Sequence, residues 1–527
     1  MMTLTKYLNT ITIFFLVALL TSCKENPKMN LLNEVLLPKP VSVKPTGSSF
    51  ELTRNTKILI KGDSKKLLEN GKYLANLLKP ATGFNLEVQT TSKKAISNSI
   101  YLVITTQESN YGDEGYSLNI TEKHIIIKAN TAKGIFRGVQ TLRQIFPSEI
   151  EAADYQNRKW FIASGEIYDY PQFTYRGAML DVTRHFFKKE DVKKYIDMIA
   201  MYKLNVLHLH LSDDQGWRIE IKSWPNLTTY GGSTEVGGGK GGFYTQEDYK
   251  EIVKYAQQRY ITVIPEIDMP GHTNAALVSY PELNCDGKAT KLYTGMKVGF
   301  STLCTNKEIT YRFVNDVIRE LSEITPGPYI HIGGDESHST KIEDYIPFIN
   351  RVQEIVIANK KKVIGWDEIV SAALKPATIV QYWGRPKNAL KGVSKNAKII
   401  LSPSDRTYLD MKYDSVTKLG LKWAGYVDID KAYNWNPSTL ISGITKKDIL
   451  GIESPLWTET VTNMKELELM IFPRIIGHAE IGWTPDSLRV WDDYKIRLQK
   501  HAKRLKIMKI NFYPSSLIDW DEKKEKM

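Results

Sequence analysis

Tyr329-Ile330-His331-Ile332-Gly333-Gly334-Asp335-Glu336 runs from residues of strand-forming character through two glycines into adjacent carboxylates. It reads as a buried strand that delivers acids to a rim. Working outward, strand-like and helix-like stretches alternate from Phe173 on. The strand-like stretches are 177–182, 205–212, 262–269, 329–334, 362–366, 378–383, 398–402 and 449–457. Between them lie amphipathic helices such as Asp191–Lys203, where Val192, Tyr195, Ile196 and Ile199 share a face, and Gln246–Gln258, where Tyr249, Ile252, Val253 and Ala256 do. Alternation implies a parallel sheet, and eight repeats predict an α/β fold with a closed (β/α)8 TIM barrel. A helix over Met464–Ala479 and the basic segment Tyr494–Lys509 are expected to pack outside it.

Upstream, Tyr116, Leu118 and Ile120 alternate, as do Ile125 and Ile127, which predicts an antiparallel pair. Ile135, Val139, Leu142 and Phe146 then recur at helical spacing up to Pro147. The barrel is therefore preceded by a smaller α+β domain. The division expected is a signal at 1–22, a linker at 23–35, the accessory domain at 36–170, the barrel at 171–500 and a helical extension with a frayed tail at 501–527.

The 527-residue chain carries a net charge of +12, but its lysines and arginines are spread along the length with acids between them. That pattern is not a nucleic-acid footprint. The sequence contains no CxxC pair, Walker-type loop or H-E-x-x-H, so neither metal nor cofactor is called for. Lys6, the apolar run Ile11–Leu20 and Leu20-Thr21-Ser22-Cys23 resemble a bacterial lipoprotein signal. The resemblance implies cleavage before Cys23, a lipid on its thiol and a membrane-anchored, exported protein. Export permits disulfides, and Cys285 and Cys304 are either paired or two buried thiols.

In a barrel of this kind the ligand site lies at the carboxyl ends of the strands. There the sequence places Asp213 and Asp214, then Glu266, Asp268 and His272, then Asp335 and Glu336, then Trp366, Asp367 and Glu368, then Trp383, and finally Trp457 and Glu459. Acids and tryptophans converging on one rim suit a carbohydrate, because acids bind hydroxyls or move protons and indole packs on a sugar ring. Asp367, Glu368 and the acids of the third strand serve equally well as braces for loops.

His331-Ile332-Gly333-Gly334-Asp335-Glu336 resembles the signature of glycoside hydrolase family 20, the β-N-acetylhexosaminidases. Arg176–Asp181 with Arg184-His185-Phe186, His208–Arg218 and Pro265–His272 are similar to its other blocks. The resemblance covers about residues 36–500. It implies exo-acting, retaining hydrolysis of terminal N-acetylhexosamine from an oligosaccharide or glycoconjugate. It makes Glu336 the general acid and base, and Asp335 the acceptor for the substrate's 2-acetamido N–H. Tyr408 would bond the acetamido carbonyl, and Asp213 with His272 would support Glu336. Arg176, Asp410 and Glu459 would bind ring hydroxyls, and Trp366, Trp383 and Trp457 would enclose the acetamido methyl. Most retaining glycosidases use two carboxyls about 5–5.5 Å apart, and this family is among the exceptions.

Strand alternation makes Asp335 and Glu336 a poor acid and nucleophile pair unless the glycines twist the backbone. The substrate's own acetamide oxygen is the expected nucleophile, with an oxazolinium intermediate. A neighbouring anion and partial burial predict a raised pKa for Glu336. A covalent glycosidase using Asp213 or Glu459, and a glycan-binding lipoprotein without catalysis, are the rival readings.

Overall fold

The computed structural model describes residues 26–93, 96–105 and 111–520. The expected signal segment, Cys23 and the last residues of the tail lie outside them.

Two units pack together. The first is a seven-stranded mixed sheet of β1 (Ser42–Leu52), β2 (Lys57–Lys61), β3 (Val88–Thr91), β4 (Ser99–Ile104), β5 (Tyr116–Ile120), β6 (His124–Ala129) and β7 (Trp160–Asp169), in the order β1-β7-β5-β6-β4-β2-β3. The expected antiparallel pair is β5 and β6, with Leu118 opposite Ile127. Helices Lys65–Thr82 and Ala132–Ile145 lay Leu67, Leu74, Ile135 and Val139 on Ile58, Ile100 and Ile127 in one buried core. The second helix starts where Thr131 caps the amides of Lys133 and Gly134, satisfying donors that a helix start leaves free.

The second unit is a closed parallel barrel of β8 (Tyr175–Asp181), β9 (Val206–His210), β10 (Thr262–Glu266), β11 (Tyr329–His331), β12 (Lys362–Trp366), β13 (Ile379–Tyr382), β14 (Lys398–Leu401) and β15 (Ile449–Ser454). All eight strands lie within the stretches read from the sequence, apart from two residues that extend β8 at its start. Alternate residues face inward, so the barrel fills in layers. Tyr175, Val206, Ile264, Ile364, Ile379 and Ile400 form an apolar floor. Further along the strands the filling becomes polar: His208, Glu266, His331, Gln381 and Glu453 are all buried.

Two boundaries differ from expectation. The helix expected over Met464–Ala479 is two, Met464–Ile471 and Arg474–Trp483, broken at Phe472-Pro473 because proline supplies no amide to continue the first. Trp491–Ile507 runs through the expected boundary at residue 500. Its Arg504 donates to the carbonyls of Gln144 and Phe146 and pairs with Glu151 at 2.6 Å, so this helix clamps the first unit. The segment lies in the interface between the units. Cys285 and Cys304 are joined in a disulfide across a 19-residue separation, which closes the alternative of two free thiols and stabilises the fold by about 3 kcal/mol.

Two buried histidines make stability depend on acid. His501 Nε2 lies 2.8 Å from the Tyr202 hydroxyl, and His478 sits between the Ser454 hydroxyl at 2.8 Å and the Arg406 carbonyl at 3.1 Å. Burial, reinforced by nearby arginines, pushes both down to about 3 from an ordinary 6.5. A histidine depressed in the folded state contributes stability above pH 6.5 and loses it as pH falls toward 3, because the unfolded chain takes up the proton first. The loss is on the order of 4 kcal/mol each. Thermal unfolding between pH 6.5 and 4 is expected to show a falling midpoint, with a shallower fall in His501→Asn; an unchanged slope refutes the assignment.

Candidate active site

The strand reading of the signature stretch ends at His331. Beyond it the backbone turns through Gly333 at φ +63° and Gly334 at φ +102°. A side chain at Gly333 is excluded because its Cβ would lie 1.8 Å from the Asp268 carboxylate. Asp268 accepts the Gly334 amide at 2.9 Å, and the Tyr345 hydroxyl donates to the Gly334 carbonyl at 2.6 Å, so the turn is pinned on both sides. Glu336 follows at φ +44° and His272 on the neighbouring loop at φ +55°, each held in a conformation that costs about 1–3 kcal/mol for such residues.

The twist brings the two acids together. His272 Nε2 lies 3.6 Å from Glu336 Oε2 and 3.7 Å from Asp335 Oδ2, while its Nδ1 meets Asp213 Oδ1 at 3.1 Å. Strand alternation therefore does not separate Asp335 from Glu336, because by this point the chain has left the strand. Asp213 is further held by Arg184 at 2.9 Å and by His210 Nε2 at 2.8 Å.

Burial raises the Asp213 carboxyl, but Arg184 and His272 outweigh it and hold Asp213 well below the usual carboxylate range. Burial likewise disfavours charge on His272, and Asp213 overrides it, so the imidazolium persists well above its ordinary range. That cation reverses the expectation for Glu336. Burial works to raise it, yet hydrogen bonding and charge from His272 hold it below its ordinary value in the empty site. Asp335 is the raised partner, lifted by burial and by Asp268 with only partial relief from His272. The like-charge effect is present, but it falls on the aspartate.

The aromatic residues gather as one wall. Trp366 is buried, with its ring centre 5.9 Å from Trp457 and its indole N–H donated to Glu266 at 2.8 Å. Trp383 donates its indole N–H to Glu368 at 3.1 Å, and Tyr408 packs beside Trp457 at 6.4 Å. Asp410 is 1 % exposed, and neither of its oxygens has a hydrogen-bond partner among the described residues; one oxygen of Glu459 is likewise unpaired. Burial raises both carboxyls, Glu459 adding to the effect on Asp410 and Arg184 opposing it on Glu459. Buried carboxyl oxygens without a partner are acceptors that donors such as sugar hydroxyls would satisfy.

Arg176 is a correction. It opens β8 at the amino-terminal end of the barrel, opposite the acids, where its guanidinium pairs with Glu114 at 2.7 Å and donates to the Phe173 and Lys203 carbonyls. Glu114 also takes Arg137, so Arg176 welds the two units together; removing one partner of such a buried pair costs about 3–5 kcal/mol. The arginine in the site is Arg184, just past the end of β8, bonded to Asp181 and Asp213 and lying 4.9 Å over the Trp457 ring. Its place after the strand was the signal, since rim residues follow strands and Arg176 lies at the start of one. Trp423 was also missed: 55 % exposed, it meets Trp383 and Tyr408 edge-on at 6.0 and 5.8 Å and extends the wall outward. No strand-end rule points to a residue so deep in a long loop.

A cavity of about 250 Å³ adjoins Glu336 and is lined by Glu368, Arg385 and Asn388 among others. A larger one, about 930 Å³, lies between the units at the opposite barrel mouth, beside Glu69, Tyr260 and Tyr329. Size and chemistry part company here, since of the two cavities only the smaller touches Glu336. His208, Glu266 and His331 bring ligand atoms within 4.8 Å of one another, a spacing a metal would accept, but Glu266 is already shared among histidines and an indole.

Both units have counterparts among known proteins. Residues 173–486 match the model of the glycosyl hydrolase family 20 catalytic domain, and 34–170 match domain 2 of the same family. A β-N-acetylhexosaminidase of Cellulomonas fimi is 40 % identical over 92 % of this chain and 97 % of its own. The solved family 20 β-N-acetylhexosaminidase of Streptomyces coelicolor A3(2) superposes with TM-score 0.89 at 50 % identity, covering 93 % of this chain and 99 % of that one. A mutant Streptomyces plicatus β-hexosaminidase in complex with its product GlcNAc does so with TM-score 0.90 at 49 % identity, covering 94 % and 100 %. With both of its units matched and its acids, histidine and indoles gathered on one rim, the chain belongs to glycosyl hydrolase family 20.

Proposed function

We infer that the chain is an exo-acting, retaining β-N-acetylhexosaminidase that removes terminal N-acetylhexosamine by substrate-assisted catalysis. The observation that carries the reading is the pairing of Asp335 and Glu336 on one imidazolium beside an indole cup. Glu336 gives its proton to the glycosidic oxygen while the acetamide oxygen attacks C1, forming an oxazolinium ion and releasing the leaving group. Glu336, now a carboxylate, takes a proton from water as it attacks C1 from the vacated side, and the amide is restored. Two inversions give retention. Intramolecular attack of this kind supplies up to about 7–11 kcal/mol through orientation alone.

Substrate corrects the protonation of the empty site. The acetamido N–H donates to Asp335 and favours its anion, while the sugar strips water from Glu336 and favours its acid form. Tyr408 donates to the acetamido oxygen, and Trp366, Trp383 and Trp457 surround the methyl. Arg184, Asp410 and Glu459 take the ring hydroxyls, an enclosed end that supports exo action. Trp423 offers its exposed face to the leaving group.

Paired aryl substrates that differ in the 2-acetamido group test the mechanism. Replacing acetamido by hydroxyl is expected to lower kcat/KM by at least about 10³-fold, because the nucleophile is gone. Equal rates refute assistance, and covalent labelling of Asp213 or Glu459 by a fluorosugar would install the carboxylate rival. Cys23 carries a lipid that anchors the exported enzyme to a membrane facing its glycans; the signal-like sequence supports this. Cys23→Ser is expected to move the protein from the membrane to the soluble fraction, and persistence at the membrane refutes the anchor.

A further inference from the structure

Glu266 ends β10 fully buried, and its two oxygens divide the site between them. Oε1 accepts the Trp366 indole N–H at 2.8 Å and faces His331 at 3.0 Å. Oε2 meets His210 Nδ1 at 2.5 Å and lies 3.1 Å from His208. His210 turns its other nitrogen to Asp213 at 2.8 Å, and Asp213 holds His272 at 3.1 Å, whose far nitrogen faces both acids. An imidazole bonds two carboxylates at once only when both nitrogens carry protons, so His210 is an imidazolium wedged between Glu266 and Asp213. His210 also meets the edge of Trp457 at 4.9 Å.

Building on the hexosaminidase reading above, we propose that Glu266 is a positioning residue that registers the acetamido cup with the proton donor. Through the Trp366 indole it fixes a wall of the cup. Through His210 and Asp213 it fixes the orientation and charge of His272, and so of Glu336. One buried carboxylate thereby sets the distance between the group that forms the new bond and the group that cleaves the old one. The neighbouring His208, near the same oxygen but outside the branch to His272, is a natural control. His208 leads to Glu453 at 2.9 Å, which takes Gln381 at 2.7 Å and the Tyr175 hydroxyl, a branch running toward the barrel floor and away from the rim.

Glu266→Gln keeps an acceptor for Trp366 but sets an amide against the His210 N–H, breaking the branch toward His272. With an N-acetylglucosaminide bearing a poor leaving group, it is expected to lower kcat by about 30-fold and to raise KM by roughly threefold. In a His272→Asn background the same change is expected to cost less than about threefold in kcat while raising KM by the same factor, since the Trp366 arm does not pass through His272. His208→Gln is expected to leave kcat within about threefold.

Equal kcat losses from Glu266→Gln in both backgrounds, or a loss from His208→Gln matching that from Glu266→Gln, overturn the proposal in favour of simple packing. If Glu266→Gln does not fold, as judged by thermal unfolding, His210→Gln cuts the same branch, and equal kcat losses with and without His272 overturn it. An inactive wild-type chain overturns the hexosaminidase reading and this proposal with it, whereas an active one that passes none of these comparisons overturns the proposal alone.

Discussion

Glu336→Gln is expected to lower kcat by about 10³-fold on an N-acetylglucosaminide whose leaving group is an unactivated sugar, the range over which a positioned general acid acts. The amide cannot donate the proton that such a leaving alkoxide requires. On an aryl substrate whose phenolate leaves unaided, the first step largely survives and the second becomes limiting, because glutamine cannot take a proton from water. Azide attacks the oxazolinium ion without surrendering a proton, so azide is expected to restore turnover of the aryl substrate and yield the β-azide. It is expected to do nothing for the sugar leaving group. Binding of N-acetylglucosamine changes little, since Glu336 faces the departing oxygen rather than the retained ring. Unimpaired hydrolysis of the sugar substrate would remove Glu336 from the role, and an α-azide product would remove the intermediate.

The barrel was legible because its signal is repetitive. Each strand carries β-branched or large apolar residues and each helix a single apolar face, and eight repetitions leave few alternatives. The rim was legible for a related reason: acids and indoles at or just past strand ends are not what a sheet requires, so Asp335, Trp366 and Trp457 stand out there. Arg176 shows where this reading fails. Position along the strand decides which end of the barrel a residue occupies, and Arg176 lies at the start of β8 while Arg184 follows its end.

The protonation of the two acids was not legible at all. It depends on His272, which reaches them from another loop, and on Asp213, Arg184 and His210 behind it, drawn from two further strands and their loops. A charge that reverses an expectation through contacts this distant in sequence is a property of the assembled fold. Glu266 was invisible as anything but a brace for the same reason, because its partners come from β9, β11 and β12.

Asp335→Asn is expected to lower kcat by about 10²–10³-fold, the cost of removing one preorganised group aimed at developing charge. In the ground state the acetamido N–H is a neutral donor, and an asparagine oxygen accepts it nearly as well, so KM moves only a few-fold. In the oxazolinium ion that nitrogen shares a full positive charge. An anion at Asp335 then gains what a neutral amide cannot, all the more because the surrounding indoles keep the local dielectric low. A thiazoline that mimics the cyclised intermediate is expected to lose affinity by about the same factor as kcat, whereas N-acetylglucosamine does not.

The pH profile separates this role from simple positioning. Asp335 works as an anion, and burial with Asp268 raises its pKa. In the wild type kcat/KM, which reports the empty site, therefore falls with decreasing pH sooner than an ordinary carboxylate would require, and the substituted enzyme, having no proton to bind there, loses that limb. Retention of the same acid limb in Asp335→Asn would assign it to another carboxylate and leave the aspartate as a passive hydrogen-bond acceptor.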